Sequence, residues 1–150
     1  MILPSNNKLM PMAPNFFLEV KSGKGKSDVA ELQALHAGTL GERGILALRG
    51  WRREGLGLDN KAHTITVTYL KGMLICYSIH AGRKKTKNNE LEFFMSEIKS
   101  FLITGDAEWF RQGVSMYRNL RDFADKQRLE AIAMANEVAY RTEDAEEAED

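Results

Sequence analysis

Phe16-Phe17-Leu18-Glu19-Val20-Lys21 is the stretch on which the reading of this 150-residue chain turns. It is a short apolar run interrupted by one acid and closed by one base. In a strand, side chains two apart share a face. Glu19 and Lys21 then project together with Phe17, while Phe16, Leu18 and Val20 face the other way. A carboxylate beside an ammonium at a sheet edge can hold a hard divalent cation and steer a water molecule. The same pair on a plain strand is a solvated ion pair worth about 0–1 kcal/mol.

Working outward, residues 1–14 carry all three prolines and read as an extended lead-in. Ser22-Gly-Lys-Gly-Lys-Ser27 reads as a flexible basic loop. It imitates a phosphate loop, but the first glycine of that motif would have to stand where Val20 does. A helix is predicted from Asp28, with Asp28 and Glu31 in the form of a capping box. Val29, Leu32, Leu35 and Leu40 follow at helical spacing. Gly38, Gly41 and Gly44 lie three apart, so the helix either breaks there or packs closely on a sheet. Ile45–Leu48 either extends it or forms a short strand. Residues 50–61 read as a loop.

The clearest strand signal is 63–80. Ile65, Val67 and Tyr69 alternate with threonines, Lys71-Gly72 marks a turn, and Met73–His80 returns as a hairpin. Arg83, Lys84, Lys85 and Lys87 form a basic loop. Leu91, Phe94, Met95, Ile98, Phe101 and Leu102 predict an amphipathic helix over 90–103. Asp106 is the predicted N-cap of a last helix from 107 to about 140. The organisation expected is therefore a lead-in over 1–14, one domain over 15–140 and a disordered acidic tail over 141–150.

Hydrophobic residues make up 43% of the chain, enough for a core, and the formal net charge is zero. All 21 lysines and arginines precede residue 143, with 15 of the 21 acids, so residues 1–142 carry +6. Three basic clusters stand out: Lys21, Lys24 and Lys26; Arg49, Arg52 and Arg53; and Arg83–Lys87. With Trp51 beside Arg52 they suggest a nucleic-acid footprint, set against a plain solvated surface. Cys76 is the only cysteine. It excludes an intrachain disulfide, reads as a small core residue, and fits an intracellular compartment, nuclear or cytoplasmic. The N-terminus has no secretory pattern, and no apolar run reaches the ~20 residues of a membrane span. His36, His63 and His80 lack metal spacing. His63 and His80 read as polar rim residues at the open end of the hairpin.

Strand with Glu-x-Lys, basic glycine loop, helix and hairpin follow one another in the order of the back half of the PD-(D/E)XK nuclease-like fold. Pro14–Gly23, Ala30–Gly38, Leu40–Gly44, Asp59-Asn60 and Phe101–Arg118 resemble a group of fungal PD-(D/E)XK nuclease-like proteins, over residues 14–140. The resemblance implies an α+β fold: a partial restriction-endonuclease-like core of strand, helix and hairpin, followed by two C-terminal helices. It implies Glu19 as a ligand of Mg²⁺, Lys21 as the group that orients the attacking water, and Gln33 as the helix glutamine near metal or substrate. Lys24, Lys26, Arg52 and Arg53 are the candidate nucleic-acid contacts.

The chain departs from that pattern. The family needs an Asp on an upstream strand, and Glu19 is the first acid in this sequence. The family's first helix and first two strands are also missing, which implies a copy truncated at the N-terminus. Two functions follow. One is a nuclease-like domain that binds metal and nucleic acid but is catalytically impaired. The other is a non-catalytic protein-interaction module that uses residues 107–140, and the acidic tail, for a partner or for self-association.

Overall fold

The structure, a computed structural model, describes residues 12–55, 57–84 and 90–148, with side chains described as far as residue 141. Its elements in chain order are β1 (Phe16–Val20), α1 (Ser27–Arg49), β2 (Ala62–Leu70), β3 (Met73–Arg83), β4 (Leu91–Leu102) and α2 (Ala107–Ala148). They form an α+β fold with one four-stranded sheet in the order β1-β2-β3-β4. β1 runs parallel to β2, with Glu19 opposite Thr68, and the other two pairings are antiparallel. A parallel pair needs a crossover, and α1 supplies it.

The strand and hairpin expectations agree with the structure. Lys71 and Gly72 both have positive φ, 52° and 84°, as a tight two-residue hairpin turn of mirror type requires. α1 does not break at its glycines. It runs through them because they face the sheet: a Cβ on Gly41 would stand 2.6 Å from Cε2 of Phe17. Ile45–Leu48 extends the helix. The capping box does not form. Lys26 is the N-cap without a side-chain bond, and Asp28 Oδ1 accepts only from the adjacent Val29 N–H, at 2.9 Å. The basic loop holds a turn closed by Gly25 N–H on Ser22 C=O, 2.8 Å.

The largest correction concerns 90–103, which is the strand β4 and not a helix, so one helix, α2, follows the sheet. β4 pairs along the whole of β3, satisfying backbone groups that a helix there would leave open. α2 starts as expected, with Asp106 Oδ1 accepting the Trp109 N–H at 2.8 Å. It continues through Ala148, into the stretch 141–150 expected to be disordered. The lead-in 1–11 and most of the basic loop at 85–89 lie outside the described residues.

The helices cover opposite faces of the sheet. α1 lies over Phe17, Thr66 and Ile79. α2 covers the core of Ile65, Val67, Leu74 and Cys76, with Ala124 set into it and Tyr117 edge-on to Phe16 at 5.1 Å. Cys76 is fully buried, as its apolar run predicts, and burial pushes its thiol up to about 11. Among the described residues β1 is the end strand of the sheet, with no neighbour on its outer side. Ile65 N–H bonds Asn15 C=O, and Lys21 N–H bonds Tyr69 C=O, both at 2.9 Å. Alternation between them directs the N–H and C=O of Phe16, Leu18 and Val20 away from β2.

Candidate functional site

Glu19 and Lys21 lie on the α1 side of β1, the face that also carries Phe17. Lys21 continues the pairing with β2 one residue past the strand, and the Ser22–Gly25 turn folds over its Cβ. Thr68, the register partner of Glu19, lines a cleft of ≈ 290 Å³ together with Glu31, Tyr77 and Glu97. Burial raises the Tyr77 hydroxyl above its ordinary value; a hydrogen bond with Thr68 opposes the rise, and Glu31 and Glu97 add to it. Gln33 is exposed on α1. Among the described residues no hydrogen bond or ion pair joins Glu19, Lys21 and Gln33.

Mg²⁺ takes an octahedral oxygen shell, usually with one or two carboxylates plus water and phosphate, and Glu19 would supply one such carboxylate. Among the described residues no three of His, Cys, Asp and Glu converge to hold a metal ion.

The basic residues divide between two ends of α1. Lys24 and Lys26 are exposed at its start, beside Lys21. Arg52 and Arg53 follow its end, and at ~1.5 Å per residue a helix of 23 residues separates the groups by about 34 Å. Arg53 is engaged there, donating to Met134 C=O at 3.1 Å and meeting Glu137 at 3.4 Å. Lys24 and Lys26 therefore share an end of the molecule with Lys21, and Arg52 and Arg53 do not.

A second constellation escaped the sequence reading. His63 is buried, not a rim residue, and both ring nitrogens are bonded. Nδ1 lies 2.9 Å from Glu42 Oε1, and Nε2 lies 3.1 Å from Asp59 Oδ2. Arg49 Nη2 donates to the same Asp59 oxygen at 2.8 Å. Glu42 is fully buried, and among the described residues its Oε2 has no hydrogen-bond partner. Burial alone would lower the His63 value. The hydrogen bond and charge of Glu42, then those of Asp59, outweigh it and push the imidazole above its usual range. Asp59 goes the other way: burial would raise it, but the Lys61 N–H, His63 and Arg49 hold its carboxyl low. An imidazolium donating to two carboxylates satisfies all of these directions. With both nitrogens occupied, His63 has no free lone pair for a substrate. The signal in the sequence was Glu42 itself, an acid on the stripe of Gly38 and Ile45 that faces the sheet.

Asn15 fixes the same corner from below. It is 2% exposed, and its Nδ2 donates to His63 C=O at 2.7 Å and to Ala124 C=O at 2.6 Å. One amide thereby ties β1, β2 and α2 together.

Fold and site together define a small α+β domain with a strand–helix–hairpin core. The chain belongs to the family described as a domain of unknown function, DUF7924, whose model matches residues 6–135. No curated protein and no solved structure matches the chain.

Proposed function

We propose that the chain is a PD-(D/E)XK nuclease-like domain that binds nucleic acid through the Lys21 end of α1 and does not cleave it unaided. The observation that carries this reading is the placement of Glu19 and Lys21 on one face of β1, with Lys24 and Lys26 exposed in the loop that follows. Three lysines beside the start of α1 suit phosphate oxygens, although Asp28 occupies its first turn and bonds the Val29 N–H. The lone Glu19 carboxylate is why unaided cleavage is not expected: rate requires metal, water and phosphate aligned within ångströms.

The test is fluorescence anisotropy on duplex DNA across a salt series. Replacing Lys21, Lys24 and Lys26 together by alanine should weaken binding at least tenfold. It should also reduce the salt slope by about 2.7, or ~0.9 for each phosphate no longer neutralised. Changing Arg52 and Arg53 should do less. Unchanged binding by the triple variant overturns the proposal. So does robust Mg²⁺-dependent plasmid cleavage that Glu19→Gln abolishes.

A second reading, a non-catalytic interaction module, draws on α2. Its apolar residues Trp109, Phe110, Leu129 and Tyr140 are exposed along the helix. Concentration-dependent self-association, abolished by replacing Leu129 and Tyr140, would favour it.

A further inference from the structure

Segment 57–61 leads into β2, and a single chain of charged groups holds it. Arg49, the last residue of α1, donates from Nε to Gly57 C=O at 3.2 Å and from Nη2 to Asp59 at 2.8 Å. Asp59 accepts the Lys61 N–H at 3.0 Å through its other oxygen. His63 then joins Asp59 to Glu42 on α1. The side chains of His63 and Glu42 are 1% and 0% exposed, whereas that of Asp59 is 28% exposed.

The geometry points to a proton-controlled latch, in which doubly protonated His63 ties segment 57–61 through Asp59 to the buried Glu42, and loss of one ring proton leaves Arg49 as the side chain of α1 that still holds the segment. The unequal burial decides which contact breaks. A fully buried carboxylate deprived of its donor is costly, and among the described residues His63 is the side chain that donates to Glu42. The remaining proton therefore stays on Nδ1, facing Glu42. Nε2 becomes a lone pair directed at the Asp59 carboxylate, which repels it. Asp59 keeps Arg49 and reaches water, so it is the partner that turns away, giving up the Lys61 N–H.

The surrounding charges come from each packed element. α1 brings Glu42 and Arg49, and the segment brings Asp59 and Lys61. α2 brings Glu130, which lines the cleft of ≈ 580 Å³ beside Asp59 and Lys61. β3 brings His80, stacked on Phe94 at 5.1 Å, and β1 brings the uncharged Asn15. Movement of Asp59 away from His63 widens that cleft between the start of β2 and α2. The raised value of His63 sets this change above the ordinary imidazole value of 6.5.

The test uses the full chain, titrated from about pH 5 to about pH 10 by long-range proton–nitrogen correlation of the His63 ring. Amide exchange is followed in parallel and corrected for intrinsic base catalysis. The expected result is a ring protonated on both nitrogens below its midpoint, and a loss of protection of about tenfold at the Lys61 N–H as pH rises through that midpoint. Protection in the centre of β2 and β3 should hold. Asp59→Asn should flatten the pH dependence of the segment. A His63 midpoint at or below the ordinary 6.5, flat protection of Lys61 through the titration, or simultaneous loss throughout β2 and β3 would each overturn the latch, and wild type alone reads all three.

Discussion

Gly38 and Ile79 meet with no room between them: a Cβ on Gly38 would stand 2.6 Å from Cγ1 of Ile79, and 2.8 Å from Cγ2 of Thr66. α1 thus rests directly on β2 and β3. Alanine at 38 would gain ~1 kcal/mol of helix propensity. Overpacking against two β-branched side chains costs about 1–3 kcal/mol and more where neither can turn away. Gly38→Ala should therefore lower stability, read as a lower urea midpoint at unchanged slope. Gly23→Ala is the control, since nothing lies within 4 Å of its added Cβ. It should stay within about 0.5 kcal/mol of wild type.

Removing the Asn15 amide takes a buried donor from the carbonyls of His63 and Ala124, the latter keeping its place in the backbone bonding of α2. Asn15→Ala should cost about 1–3 kcal/mol, the loss for a buried hydrogen-bonding group left without its partner. Asn15→Asp has no donor when ionised and places a charge among carbonyls. Its loss should be at least as large at neutral pH and should ease in acid, a reversal that denaturant midpoints at two pH values would reveal.

The stability of the folded chain should depend on pH through His63 and Asp59, in opposite senses. His63 is raised above its ordinary 6.5 on folding. Its contribution is complete below that value and disappears as pH rises through the folded value. Asp59 is lowered below its ordinary 3.8, so its contribution is present above that value and disappears as pH falls through the folded one. Urea midpoints should decline as pH rises above the ordinary 6.5 and through the folded value of His63, and His63→Gln should remove most of that decline.

The peptide 90–103 taken alone should show no strand, and should turn helical on adding trifluoroethanol, as circular dichroism would record. Its apolar residues recur at helical spacing, which is why the sequence reads as a helix there. In the folded chain a bulge hides the competing signal. Phe101 and Lys99 pair with Leu74 and Cys76, but beyond the shift between Cys76 and Tyr77, Glu97, Met95 and Phe93 pair with Tyr77, Ile79 and Ala81. The inward side thus changes phase near Ile98, and no single alternation runs through β4. The residues of β1 and the hairpin were legible because their alternation is unbroken and Lys71-Gly72 marks the turn. The Glu42–His63–Asp59 chain was not, because it is built from three segments that only the crossover of α1 brings together. Asn15 was hidden for the same reason: its partners lie 48 and 109 residues away in the chain.

The unshared edge of β1 also governs how the protein behaves in a concentrated solution. Leu18 and Val20 are 44% and 60% exposed, and Glu19 is the only charged residue within the strand. Natural edges are usually guarded by lysine, proline or a bulge, since bare backbone groups template aggregation. Among the described residues the guard is thin, so a single outward lysine at position 20 is the change expected to slow edge-to-edge association in concentrated solution, as light scattering would record.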